Sequence, residues 1–192
     1  MGRARWTSRA TLPASRRSRS QAHVHFVQAA GDASVCERFE AIRREVLVRA
    51  RDPDALKADV VAMRLRMRGE LDRSRGARFD LKQGVGGLVD LEFLLQARVL
   101  GNALRAPALC EPRDTPGLLH ALADAGCLGP DEANDLAAAH ATLVARSLEC
   151  TLDRRPRIVE EDAEVAAARA VVRAACERAG LDFSRDPGPG AG

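Results

Sequence analysis

Leu88-Val89-Asp90-Leu91-Glu92-Phe93-Leu94-Leu95-Gln96-Ala97-Arg98-Val99-Leu100 is the stretch that decides the fold. Wound at about 3.6 residues per turn, it is apolar on nearly every side. Such a helix has little surface to give to solvent and belongs in the middle of a bundle. Gly101-Asn102 is expected to end it. Two acids interrupt the run, Asp90 and Glu92, and carboxylates on a buried helix require partners. Helical positions i and i+2 lie about 160° apart around the axis. The two acids therefore cannot form a shared two-metal or acid/base pair from this helix alone. With Gly87 as N-cap, Asp90 takes the third helical position, where a carboxylate stabilises free N–H groups. Glu92 has Leu88 and Gln96 four residues away, so its expected partner is an Arg from another helix.

Immediately upstream stands Arg78-Phe79-Asp80-Leu81-Lys82-Gln83-Gly84-Val85-Gly86-Gly87. Glycines before a helix let the backbone approach a ligand closely and expose N–H groups at the positive end of the helix dipole. Gly84, Gly86 and Gly87 are thus candidate contacts for a phosphate or another anion. Lys82 either joins them as a charged contact or is an ordinary exposed lysine. The spacing is neither a P-loop nor a dinucleotide fingerprint: no apolar strand precedes the glycines, and no Gly-Lys-Ser/Thr occurs.

Outward from this centre, helices follow one another. Phe39, Ile42, Val46 and Leu47 form an apolar stripe at helical spacing. Asp52-Pro53 opens a second helix presenting Leu56, Val60, Met63, Met67 and Leu71. Thr115-Pro116 opens a short helix with Leu118, Leu119 and Leu122, stopped by Gly126. Gly129-Pro130-Asp131 opens a longer one with Leu136, Leu143 and Leu148 inward, and Pro156 breaks the chain. A last helix runs from about Glu161 to Ala179 with Val165, Val171, Val172 and Cys176. No internal repeat and no period-2 strand pattern occurs. The fold class predicted is all-α, a helical bundle over residues 26–184, with a loose Pro/Gly-rich tail over 185–192. Scarce aromatics agree with it: one Trp, five Phe and no Tyr leave a core of Leu, Val and Ala.

The net charge of +3 is unevenly spread. Residues 1–30 hold six Arg and no acid, so 24 of the 30 bases face all 27 acids in the remainder, a net −3 there. That balance argues against nucleic acid as a partner of the folded part. Residues 1–25 are expected to be a disordered basic arm. An arm of this kind could touch nucleic acid or anionic lipid, serve as a transit peptide, or be a functionless start left by truncation or a shifted frame. Five cysteines, widely spaced and without CxxC, read as free thiols of a reducing cytoplasm. No stretch approaches the roughly 20 apolar residues that span a bilayer, so no membrane is expected. His120 and His140, among Leu and Ala on helices, read as core or boundary histidines. No Ser/His/Asp or Cys/His set and no metal-ligand spacing emerges.

The pattern Asp80-Leu81-Lys82-Gln83-x-x-Gly86-Gly87-Leu88-x-Asp90-Leu91-Glu92-Phe93-x-x-Gln96 closely resembles the signature of the bifunctional glutamine synthetase adenylyltransferase/deadenylase family. In that family it occurs in the helical domain after each of two nucleotidyltransferase domains. The form with Asp90 is similar to the C-terminal, adenylylating half. The similarity extends from Ala30-Gly31-Asp32 and Arg38–Arg44 to about Phe183. The resemblance implies transfer of AMP from ATP to a tyrosine of glutamine synthetase, with magnesium, and its removal by phosphorolysis. It also implies control by a PII signal protein and glutamine. The matching positions Lys82, Gly86, Gly87, Asp90 and Glu92 are then expected to face the active cleft.

One departure qualifies this. The family's catalytic Gly-Ser followed by Asp-x-Asp, which binds the metal ions, should lie before Phe26, where residues 1–25 carry no carboxylate. The chain is therefore expected to be a cytoplasmic helical domain whose nucleotidyltransferase domain is missing, inactive alone, with ATP and Mg2+ belonging to the complete enzyme and neither held tightly here. The alternative is a non-enzymatic helical module that binds glutamine synthetase or a PII protein.

Overall fold

A computed structural model describes residues 32–185. The basic arm expected over 1–25 lies outside the described residues, as does the expected tail beyond Arg185. Six α-helices and one small sheet make up the described part: α1 Ala33–Leu47, α2 Pro53–Leu71, β1 Arg78–Asp80, α3 Leu88–Asn102, α4 Thr115–Asp124, α5 Pro130–Leu152, β2 Ile158–Glu160 and α6 Ala163–Arg178, with a 3-10 turn at Pro107–Cys110. The architecture is mostly α, as the sequence predicts.

Helix α3 sits at the centre and packs against α2, α4, α5 and α6. Nine of its 15 residues are buried; Leu88, Glu92, Ala97, Arg98 and Asn102 are half-buried, and only Gly101, in the last turn, opens further to the outside. The helix starts are set locally. Asp52 Oδ1 accepts from Ala55 N (2.7 Å), Asp114 Oδ1 from Gly117 N (2.7 Å) and Asp162 Oδ1 from Val165 N (2.9 Å), each capping a helix N-terminus. Gly126 and Gly180 take positive φ just past helix ends (64° and 73°), where a side chain would be strained.

The sheet was not legible in the sequence. Strands β1 and β2 pair antiparallel in the register Arg78↔Glu160, Phe79↔Val159, Asp80↔Ile158. Three residues are too few for an alternating pattern to stand out. The pairing matters for position: it anchors the segment that leads into the glycines.

Several expected inward faces are rotated. On α1, Ile42 is 48% exposed while Arg43 is 1% exposed beside Leu47. On α2 the fully buried row is Val60, Arg64 and Arg68, whereas Met63 and Met67 are half-buried and Leu71 is exposed. On α5, Leu148 points out and Ser147 and Cys150 point in. On α1 and α2 an arginine takes the inward place because an acceptor waits there. The Arg43 guanidinium donates to the carbonyl of Cys110 at 2.5 Å. An apolar count misses such positions because arginine can bury its stem and donate from its head.

Burial depth sets the expected cost of truncation. Leu91→Ala, fully buried on α3, should destabilise by about 2–5 kcal/mol. Leu148→Ala should stay within about 0.5 kcal/mol. Urea unfolding of both variants checks the contrast.

Candidate functional site

The glycine segment is a tight turn bounded by two buried carboxylates. Asp80 (7% exposed) closes its start: Oδ1 accepts from Lys82 N (3.0 Å) and Gln83 N (2.9 Å). Asp90 (1% exposed) closes its end: Oδ2 accepts from Gly86 N and Oδ1 from Arg64 Nε, both at 2.6 Å. Gly87 is the N-cap of α3, so Asp90 does occupy the third helical position and reaches back over the turn. Arg64 is wholly buried and also donates to the carbonyl of Gln83 at 2.7 Å. One arginine on α2 thus holds both sides of the turn. Burial pushes the Asp90 carboxyl above its ordinary range, and the Arg64 guanidinium and the Gly86 N–H oppose that shift. The same burial pushes the Cys176 thiol up, where it lies 3.8 Å from the Asp90 carbonyl.

Each glycine answers a steric demand. A Cβ on Gly84 would meet the Phe79 ring at 2.2 Å and the Asp80 carbonyl at 2.7 Å. Gly86 has φ +81°, and a Cβ there would meet the Arg169 carbonyl of α6 at 2.7 Å. A Cβ on Gly87 would press on the carbonyls of Gly84 and Leu81, both at 2.9 Å. Arg169 completes the enclosure: its guanidinium stacks 4.0 Å from the Phe79 ring centroid, donates to the Val85 carbonyl (3.2 Å) and pairs with Glu161.

The N–H groups of Gly84, Gly86 and Gly87 donate to Asp80 O, Asp90 Oδ2 and Gly84 O, and those of Leu88 and Val89 to Leu81 O and Lys82 O. The first turn of α3 is therefore satisfied from within the protein. What the segment turns outward is Lys82, exposed at the tip of a braced loop. Glu92 is half-buried rather than buried and makes no ion pair among the described residues, so the arginine partner expected for it belongs to Asp90 instead. The carboxylate of Glu92 faces His140 of α5, a half-buried histidine whose pKa burial lowers and Glu92 partly restores. His120, by contrast, is exposed and pairs with Asp124 at 3.3 Å, so it is no core residue. With Asp80 and Asp90 committed to amides and to Arg64, and Glu92 apart from both, these acids do not fit a magnesium ion. Among the described residues no three His, Cys, Asp or Glu side chains group to hold a metal.

Sequence reasoning brought Asp80, Lys82, the three glycines and Asp90 to one place. It missed Arg64, Arg68 and Arg169. The available signal was the i, i+4, i+8 row Val60, Arg64, Arg68 on α2, which an apolar pattern does not score. Arg68 extends the clamp, donating to the carbonyls of Phe183 and Arg185 and so drawing the segment after α6 over α3, where Phe183 packs edge-on against Phe93 (centroids 6.2 Å apart).

Comparison with known proteins adds the following. The family model described as GlnD PII-uridylyltransferase matches residues 54–161. The protein named bifunctional glutamine synthetase adenylyltransferase/adenylyl-removing enzyme in Stenotrophomonas maltophilia (strain R551-3) is 53% identical over 164 residues, 85% of this chain and 18% of that protein. Its namesake in Xanthomonas campestris pv. campestris (strain B100) is 52% identical over 171 residues, 89% of this chain and 18% of that protein. That of Nitrosococcus oceani is 43% identical over 132 residues, 69% and 14% respectively. The chain spans less than one fifth of the length of these relatives.

Removing Asp90 alone strands a buried guanidinium, so Asp90→Ala should cost about 3–5 kcal/mol. The double variant Arg64→Met/Asp90→Leu should lose clearly less than the two single variants added together, measured as a denaturant double-mutant cycle. A second expectation concerns pH. The folded pKa of His140 lies below that of the unfolded chain, roughly 6.5, so acid protonates the unfolded state first. The stability tied to His140 is present above that value and falls as pH drops below it. His140→Gln should flatten that part of a stability–pH curve.

Proposed function

This chain belongs to the family of the bifunctional glutamine synthetase adenylyltransferase/adenylyl-removing enzymes, and from that premise we propose that it is the helical domain of such an enzyme. In this reading it works with a nucleotidyltransferase domain to move AMP from ATP to a tyrosine of glutamine synthetase. The domain partner supplies the Asp-x-Asp pair, and with it the sites for ATP and magnesium. The observation that carries the reading is a single one: identity of about 52% extends over 85–89% of the chain, a span that takes in the braced glycine segment.

The division of labour follows from the chemistry of the segment. Phosphoryl chemistry needs charge placed at fixed positions against the reacting phosphates. Asp80, Asp90, Arg64 and Arg169 stiffen the loop by using its internal donors and acceptors, which leaves the Lys82 ammonium as the group offered to the nucleotide or to the partner domain. Gly84, Gly86 and Gly87 act through shape, letting the turn and α6 come together behind that lysine. Asp90 holds the turn. Glutamine synthetase and a PII signal protein are the proposed protein partners, and the cytoplasm the proposed compartment. No helix among the described residues is long and apolar enough to cross a membrane.

The test is intact-mass analysis of glutamine synthetase incubated with this chain, ATP and magnesium. No adduct is expected from the chain alone, and an AMP adduct when a nucleotidyltransferase domain of the family is added in trans. An adduct from the chain alone would place the metal-binding acids in this bundle and overturn the division of labour. No adduct in either case would leave the non-enzymatic binding module. In the reconstituted enzyme, Lys82→Ala should slow transfer by about tenfold, the scale of one charge-assisted hydrogen bond, without lowering the melting temperature of the domain.

A further inference from the structure

A second concavity, of about 410 Å3, opens where the end of α5 meets the β1–β2 ladder. Its lining is Arg78, Arg146, Arg155, Ile158, Val159 and Glu160, and no residue of the glycine segment takes part. Three guanidinium groups converge here from three elements. Arg78 begins β1, Arg146 lies on α5, and Arg155 stands in the turn that follows α5.

That turn is well held. Arg154 adopts a left-handed φ of 54°, its N–H donates to Thr151 O (3.1 Å), and the Arg155 N–H donates to Cys150 O (2.9 Å). Beyond it, the Arg157 carbonyl accepts from Leu81 N at 2.9 Å. The arginines therefore stand on fixed backbone rather than on a loose loop.

The donors are unequally spent. The terminal nitrogens of Arg146 go to Glu149 and Asp162, while its Nε is buried without a partner. Arg155 gives its Nε to Asp153 (3.1 Å), which leaves both terminal nitrogens. Arg78 makes no ion pair among the described residues. Its Cα is paired with that of Glu160 across the ladder, the one acid in the lining. Ile158, half-buried, shares a face of the ladder with Arg78 and Glu160 and gives the groove its apolar floor, while Val159 turns to the opposite face with Phe79.

Guanidinium forks match the oxygens of a phosphate group, which can accept from two or three of them at once. A peptide with spaced carboxylates would need a longer groove, whereas this volume falls within the roughly 300–1,000 Å3 of small-molecule sites. We propose that this groove binds a phosphate-bearing small molecule of nucleotide size, with its phosphates on Arg78 and Arg155 and its apolar part on Ile158. The Glu160 carboxylate in the lining opposes a phosphate by its like charge. Because β1 leads from Arg78 through Asp80 into the glycine segment, and the Arg157 carbonyl holds Leu81 N, an occupied groove braces the strand that leads into that segment. The site is independent of the proposed AMP transfer and stands or falls by its own test.

Calorimetric titration of the full chain with ADP and, separately, with inorganic pyrophosphate provides that test, without metal. Saturable one-to-one binding is expected. Arg78→Gln and Arg155→Gln should each weaken it about tenfold, while the exposed control Arg49→Gln should not. Glu160→Gln should tighten it, a gain that misfolding cannot produce. Tighter binding of ADP than of pyrophosphate assigns the nucleoside to the apolar floor, and equal binding assigns a polyphosphate site; either supports the proposal. Absence of saturable binding by both probes, binding indifferent to both arginine variants, or a glutamate-rich peptide that ADP cannot displace would overturn it.

Discussion

A single buried ion pair holds this structure together around the glycine turn. Arg64 of α2 meets Asp90 of α3 at 2.6 Å with both side chains out of solvent, and the same two residues bind the Gln83 carbonyl and the Gly86 N–H. A pair of this kind is weak evidence for stability, since two well-packed apolar side chains can serve as well. What it supplies is geometry. It fixes where α2 crosses the start of α3 and at what point the chain must turn, and it does so with directional contacts that no apolar packing could impose. The central helix can be buried on nearly all sides because its one deeply buried charge is answered at that point.

The turn itself is a case of close packing with satisfied polarity. Three glycines are needed because α6, the Phe79 ring and the loop's own carbonyls all approach within the space a Cβ would fill. The amides released by such a turn are then absorbed by Asp80, Asp90 and neighbouring carbonyls, in keeping with the rule that buried backbone donors find acceptors. The result is a rigid platform whose outward-facing charge is Lys82. A helix N-terminus preceded by glycines suggests an anion site only when its donors remain free. Here the protein's own carboxylate, that of Asp90, occupies that role.

Much of this was legible before any coordinates. The all-round apolarity of residues 88–100 places that helix at the centre, Asp52-Pro53 and Thr115-Pro116 mark helix starts, and the glycines from Gly84 to Gly87 mark the turn before it. The errors share one cause. Ile42, Leu71 and Leu148 are placed inward on apolar character alone, while Arg43, Arg64 and Arg68 take no part in an apolar pattern. A helix turns its most demanding side chains toward whatever can satisfy them, and for an arginine that is a carbonyl or carboxylate on another element. The two three-residue strands escaped for a different reason, being too short for any period to show.

The sequence by itself determined the helical class, the order and limits of the main helices, the glycine turn and its acids, because these follow from local periodicity, capping chemistry and the conformational freedom of glycine. Only the tertiary structure decided that Asp90 rather than Glu92 takes the arginine, that Arg64, Arg68 and Arg169 serve the turn, and that Arg78, Arg146 and Arg155 share a groove. Those facts depend on residues from 9 to more than 100 positions apart in the chain. Whether a charge is buried with a partner or left to solvent is set by the angle at which helices cross, which no local pattern encodes.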